Sequence, residues 1–189
     1  MAHLKHNFFV RPTLTVAREL IGQRLVRINT DGVKLAGIIV EAEAYIGTTD
    51  MACHARAGRT RRTEVMFGPA GIAYVYLTYG IHWMLNIVTE KDGFPAAVLL
   101  RAIFPTQGED TMRVRRGPGK PVADGPAKLT QALNIDGAWN GYDLCQPTAQ
   151  LFVEEGNGDG TAIKSTPRVG LVETPEPWLS LPWNYQPLN

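Results

Sequence analysis

Cysteine is scarce in this chain: Cys53 and Cys145 are the two thiols in 189 residues. Neither belongs to a Cys-x-x-Cys pair or stands near a histidine at zinc-finger spacing, so neither a metal centre nor any other cofactor is expected. Far apart in a chain without an export signal, they are expected as free thiols. The His-x-Glu and Pro-Cys-x-x-Cys elements of zinc deaminases are missing too. No apolar run approaches the roughly 20 residues that span a bilayer. The opening Met1–Phe9 lacks the long apolar core and small-residue cleavage site of a signal peptide. A cytoplasmic protein without membrane contact is expected. Repeats and linker-like stretches are absent, so residues 1–189 are expected to form one domain.

A large charge excess is also lacking, since the net charge is +1. Its distribution is more informative. Arg56, Arg59, Arg61 and Arg62 crowd one loop, and Arg113, Arg115, Arg116 and Lys120 crowd another. Acidic residues gather elsewhere, at Glu154, Glu155 and Asp159 and again at Glu173 and Glu176. Segregated basic loops on a nearly neutral protein suit a phosphate backbone, or serve only as solvated surface. The hydrophobic share of 44% is that of a folded globular chain.

Periodicity predicts a first helix over 12–21, begun by Pro12 and stopped by Gly22. A strand follows over 24–28, then a turn at Asn29–Gly32 and a long strand over 34–46. In that strand Ala36, Ile38, Val40, Ala42, Ala44 and Ile46 share a face expected in the core, and Ile39, Glu41, Glu43 and Tyr45 share the other. The stretch 48–66 has no period and reads as a long irregular loop. Strands over 71–77 and 81–88, joined at Tyr79-Gly80, form a hairpin, and 96–104 is a further strand. The second basic segment reads as a loop up to Asp124. A helix carrying Leu129 and Leu133 then closes near Asn134–Gly137. Gly156–Gly160 is expected to be an exposed loop. The pattern is mixed α/β.

Several residues could carry chemistry. Glu43 leaves its strand beside Tyr45 and is the candidate base. Arg101 stands alone in an apolar strand and needs an acidic partner, Glu43 or Glu41. Tyr45, His54 and Tyr76 offer rings for a flat ligand, which stacking favours by about 1–3 kcal/mol per base, and a cationic ligand gains more. Asn86, in an apolar strand, is a buried amide that reads a base edge or bonds to backbone. Tyr79, at a hairpin tip, suits a wedge that fills the gap left by an extruded nucleotide. Arg59, Arg62 and Lys128 are the expected phosphate contacts. Lys128 follows Gly125-Pro126 at a helix start, where free N–H groups face outward. Gly117-Pro118-Gly119-Lys120 is like the hairpin of helix-hairpin-helix modules, but no helix is expected before it.

In order along the chain, Glu41-Ala-Glu43-Ala-Tyr45, His54, Met66-Phe67, Tyr74-Val-Tyr76, Tyr79-Gly80, Asn86, Leu99-Leu100-Arg101-Ala102 and Gly125-Pro126-x-Lys128-Leu129 resemble the alkyladenine (3-methyladenine) DNA glycosylase family. The resemblance runs from about Phe8 to Val172. It implies a single compact domain with a curved antiparallel sheet, surrounding helices and a protruding β-hairpin, similar to the C-terminal domain of methionyl-tRNA formyltransferases. It implies that a monomer removes alkylated or deaminated purines from damaged double-stranded DNA, without metal or strand cleavage. In the matching positions, Glu43 would activate water and Arg101 would help hold it. Tyr45, His54 and Tyr76 would enclose the flipped base, with the His54 backbone N–H on its edge. Asn86 would crowd the exocyclic amine of guanine, and Tyr79 would enter the helix. This chain departs from the family at Thr60-Arg61-Arg62, where Thr-Pro-Arg is typical. It departs again after Trp178, where Leu179-Ser180 replaces Arg-Phe. A non-catalytic DNA- or tRNA-gripping module of the same fold, and a glycosidase of free sugars or nucleosides, are the competing readings.

Overall fold

The computed structural model describes residues 1–156 and 162–188. Beyond Gly156, the loop expected over Gly156–Gly160 lies outside the described residues. The strand expectations hold best. β1 (Arg24–Ile28) and β2 (Lys34–Ile46) pair antiparallel across the turn at Asn29, where Gly32 takes φ +81° and donates its N–H to Asn29 O at 3.0 Å. β3 (Ala73–Thr78) and β4 (His82–Val88) form the hairpin, and β5 (Ala96–Gln107) runs three residues past the predicted end. With β6 (Leu151–Glu154), β7 (Ile163–Thr166) and β8 (Asn184–Pro187), they make an eight-stranded sheet in the order β3-β4-β5-β2-β1-β6, with β8 joining β2 and β7. Every strand pair is antiparallel. The sheet curls into a half-barrel within a mixed α/β fold.

Strict alternation along β2 is the first expectation to need correction. Ala36, Ala42 and Ala44 are buried as predicted, but Leu35 and Ile39 are buried too, while Ile38, Val40 and Ile46 are only half-buried. The register explains this. Ile39 faces Ile103 and Glu41 faces Ala102, so β2 carries an extra residue, and Ala42 then faces Leu100, so β5 carries an extra residue at Arg101. Such bulges rotate side chains and bend the strand. Beyond them Ala42 and Ala44 point to the core, and Glu41, Glu43 and Tyr45 to the opposite face.

The core lies on the face covered by helices. α1 (His6–Phe9), absent from the sequence reading, is a single turn. α2 (Thr13–Glu19) places Val16 and Ala17 at zero exposure against the sheet. Pro12 precedes its first turn, and the Glu90 carboxylate accepts from Thr13 N at 2.7 Å, occupying an N–H that the helix leaves free. α4 (Pro126–Leu133) adds Leu129, Ala132 and Leu133 and ends at Asn134 in the left-handed region, φ +54°. Each such leucine contributes about 1.5–3 kcal/mol by leaving water.

Two segments read as loops are partly helical. Glu109–Arg116 is α3, with Glu109 and Asp110 in its first turn and three arginines in its last, which complements the helix dipole. Only Met112 is buried, so it shows no apolar stripe in the sequence. A helix therefore does precede Gly117-Pro118-Gly119. The 48–66 stretch contains a 3₁₀ turn at His54–Ala57 and leads into another at Glu64–Phe67, each too short for hydrophobic period to register. Their Ala55 and Met66 pack with Tyr74, Val88 and Ala97 in a small second core on the face away from the helices. Both cysteines are buried free thiols. Among the described residues, no helix is long and apolar enough to cross a membrane.

Candidate active site

Cross-strand register assembles the site. Tyr74 on β3 faces Asn86 on β4, Asn86 faces Leu99 on β5, Leu99 faces Glu43 on β2, and Glu43 faces Asn184 on β8. Side chains in such a row share one face. The bulge at Arg101 turns its guanidinium onto the same face, between two carboxylates. Arg101 Nε donates to Glu41 Oε1 at 2.8 Å, and Nη1 to Glu43 Oε2 at 3.3 Å. Both candidate partners are therefore engaged. Burial works against the Arg101 charge, but the Glu43 and Glu41 charges outweigh it and hold its pKa above the ordinary arginine value.

The Glu43 side chain has no exposed surface and four donors. Its Oε1 accepts from Val169 N at 2.7 Å and Asn184 Nδ2 at 3.0 Å. Its Oε2 accepts from the Tyr45 hydroxyl at 2.9 Å and from Arg101. The candidate base thus lies one hydrogen bond behind the nearest cavity wall rather than on it. Three of its donors, Tyr45, Val169 and Arg101, line a cavity of about 330 Å³. That is at the small end of ligand pockets and suits a single flat heterocycle.

His54, Tyr74, Tyr76 and Tyr45 form most of the cavity's aromatic wall, with Asn86 and Leu99 on the sheet side. His54 meets Tyr76 edge-on, 4.5 Å between centroids, and its Nδ1 is 3.0 Å from the Tyr74 hydroxyl. Burial pushes the Tyr74 and Tyr76 phenols to about 12. Burial also raises Tyr45 well above the ordinary phenol value, helped by the adjacent Glu43 charge. Burial, then Arg62 and Arg56, drive His54 down from 6.5 to about 4. The pocket is therefore lined by neutral rings. An unfolded His54 takes its proton near 6.5, whereas the folded one waits until about 4. Its contribution to stability is thus full above 6.5 and is lost progressively as pH falls toward 4. His54→Asn is expected to remove that part of the acid sensitivity, seen as a flatter run of urea midpoints across the interval.

The remaining predicted residues are placed as follows. Asn86 is buried and donates to Tyr74 O at 3.0 Å, so its amide is fixed to backbone while lining the cavity. Tyr79 is 90% exposed at the hairpin tip, where Tyr79 and Gly80 have φ +50° and +71° and Ile81 N returns to Thr78 O. Positive φ at both central residues is the tight turn that suits hairpin twist. A tyrosine there holds a disfavoured conformation at a cost of about 1–2 kcal/mol. The Arg59 and Arg62 guanidinium groups lie over the Phe67 and Tyr76 rings at 5.1 and 5.0 Å. Lys128 pairs with Asp124 at 2.9 Å. The second basic cluster is more committed than expected: Arg113 pairs with Glu109, Arg115 donates to Ala132 O, and Arg116 contacts Gln131 and Pro121 O.

Sequence reasoning missed Arg168, Asp50 and Asn184. Arg168 and Asp50 have zero side-chain exposure and form a two-pronged pair at 2.6 and 2.9 Å. The guanidinium also lies over the Tyr45 and Trp183 rings, at 4.7 and 5.0 Å, and donates to Ala44 O. It thereby locks the ring that bonds Glu43 and seats the neighbouring Val169. No local signal marked them, since each is informative only through a partner more than a hundred positions away.

This chain is similar to known proteins along most of its length. Residues 7–187 match the family model described as methylpurine-DNA glycosylase (MPG). A protein of Methanocella arvoryzae described as "Putative 3-methyladenine DNA glycosylase" is 47% identical, over all of this chain and 94% of its own length. Proteins of the same description from Myxococcus xanthus and Alkaliphilus oremlandii are 46% and 42% identical. The first covers 90% of this chain and 83% of the relative, and the second 96% and 94%. A match across nearly the whole chain, on a fold that gathers a carboxylate, an arginine and four rings around one cavity, makes this chain a member of the methylpurine-DNA glycosylase family of DNA-repair enzymes.

Proposed function

We propose that the protein hydrolyses the N-glycosidic bond of alkylated or deaminated purines everted from duplex DNA, such as 3-methyladenine, 7-methylguanine, hypoxanthine and ethenoadenine. The observation that carries this reading is the cavity of about 330 Å³ whose wall supplies three of the four donors to one buried carboxylate. Tyr45, His54 and Tyr76 would stack on and enclose the base, with the His54 backbone N–H on its edge. Asn86, tied to Tyr74 O, would crowd the exocyclic amine of an undamaged guanine. The attacking water would enter by opening the loosest contact of Glu43, the 3.3 Å hydrogen bond from Arg101, and pass its proton to the carboxylate as C1′ gains oxocarbenium character. Neutral rings suit a cationic purine, which leaves without a strong acid and gains from the ring faces. Incubation with methylated duplex is expected to release free 3-methyladenine, and untreated duplex to release none. Release from neither would defeat the reading.

Tyr79 would fill the space left by the everted nucleotide. The ring reaches solvent from a tight hairpin turn and borders the cavity. Tyr79→Ala should weaken binding to lesion duplex by about ten- to a hundredfold, the worth of one lost stack, and binding to single strands far less. Equal losses on both substrates would remove the role. Arg59 and Arg62 would carry phosphates beside the pocket. Lys128 would join them by exchanging its exposed Asp124 partner, a pair worth about 0–1 kcal/mol.

A carboxylate with no exposed surface favours one second reading, a DNA- or tRNA-gripping module in which Glu43 is purely structural. Base release is the outcome that separates the two.

A further inference from the structure

Outside the pocket, the fold brings together three side chains from opposite ends of the sequence. His6 of α1 meets Asp143 and Cys145, which follow the 3₁₀ turn Gly137–Trp139. One ligand atom from each lies within 4.8 Å of the other two. His6 Nε2 stands 3.5 Å from Asp143 Oδ1, long for a hydrogen bond. Two donors each about 2.1 Å from one tetrahedral ion stand about 3.4 Å apart. The other ring nitrogen, Nδ1, is 2.7 Å from Ala70 O. A carbonyl only accepts, so Nδ1 carries a proton, and in the neutral ring the Nε2 lone pair is the one left for a metal, the arrangement that orients metal-binding imidazoles.

The rest of the cluster is held equally well. Asp143 Oδ1 accepts from Cys145 N at 2.8 Å, fixing carboxylate and thiol in one turn. Gly71 passes so close that a Cβ there would lie 2.6 Å from Cys145 Sγ and 3.1 Å from His6 Nδ1. Cys145 is buried, which suits a ligand more than a nucleophile, whereas the His6 and Asp143 side chains are 51% and 37% exposed. An ion can therefore reach the cluster from solvent, which also supplies water as a fourth ligand.

We propose that His6, Asp143 and Cys145 bind a zinc-class divalent cation that pins the N-terminal helix to the turn at Asp143. The mixed nitrogen, oxygen and sulfur donors fit a borderline-soft ion such as Zn²⁺. As the metal–sulfur bond forms, the thiol proton passes to solvent and no electron moves. Spacing along the chain gave no hint, because the ligands come from the first turn of the protein and a segment far beyond it.

The test uses the full chain, freed of metal by a chelator and titrated with Co²⁺ and then Zn²⁺. One equivalent of Co²⁺ should bind with a thiolate-to-cobalt charge-transfer band and tetrahedral d–d bands, and Zn²⁺ should abolish both. Cys145→Ser should lose the charge-transfer band and Cys53→Ser should keep it. His6→Ala changes a half-exposed residue outside the pocket. It should weaken binding at least about a hundredfold, as loss of even an outer-shell partner can. It should also cancel any zinc-induced rise in Tm while base release is unchanged. Absence of saturable binding, a cobalt spectrum without thiolate character, a band that survives Cys145→Ser, or an affinity untouched by His6→Ala would each overturn the site.

Discussion

Replacing Glu43 by glutamine is expected to abolish base release from methylated duplex while leaving lesion binding in place. Removal of a general base costs about 10²- to 10⁴-fold in rate. The cavity wall remains, because Tyr45, Val169 and Arg101 line it themselves. The substitution has a structural cost as well. Each carboxylate oxygen accepts from two donors, so a glutamine amide nitrogen must face donors whichever way it turns. A mismatch of that kind costs about 1–3 kcal/mol. Rate, lesion affinity and urea midpoint should therefore be measured on the same preparation. A folded Glu43→Gln protein that releases bases at the native rate would mean that the carboxylate only holds strands together. Arg101 should remain anchored in the variant, because Glu41 keeps the shorter of its two contacts, 2.8 Å.

The largest loss of stability is expected at Arg168. Removing one partner of a fully buried pair costs about 3–5 kcal/mol, since the other charge stays in the interior without compensation. Arg168→Met leaves Asp50 in that state and also removes two ring contacts and a bond to Ala44 O. Changing Asp50 to asparagine in the same chain should return part of the loss, and the non-additivity measures the pair. Base release should fall as well, because the residue after Arg168 supplies the shortest hydrogen bond to Glu43, 2.7 Å. A drop of under about 1 kcal/mol in urea denaturation would show that the pair is merely tolerated.

Much of the sheet was legible because strand signals are local. β1 and β2 match the predicted bounds, and the hairpin tip was marked by Tyr79-Gly80. Parity along β2 was not legible, since a bulge depends on the partner strand and leaves no mark in β2 itself. α3 escaped notice because it buries one residue, and the 3₁₀ turns because they are four residues long. Glu43, Arg101 and the rings could be named from chemistry that looked out of place in apolar strands. Asp50, Arg168 and Asn184 could not, because what makes them informative is burial beside a partner more than a hundred positions away, Asp50 beside Arg168 and Asn184 beside Glu43.

The way Glu43 is held bears on the protein's birth at the ribosome. Strands β1 to β5 lie within residues 24–107, whereas Val169 and Asn184 are made only after them. A nascent polypeptide made only as far as residue 167 contains strands β1 to β6 and the rings of the cavity wall, yet leaves the acid at position 43 without half its hydrogen bonds. Competence for chemistry is thereby deferred until residues 168–184 have been made.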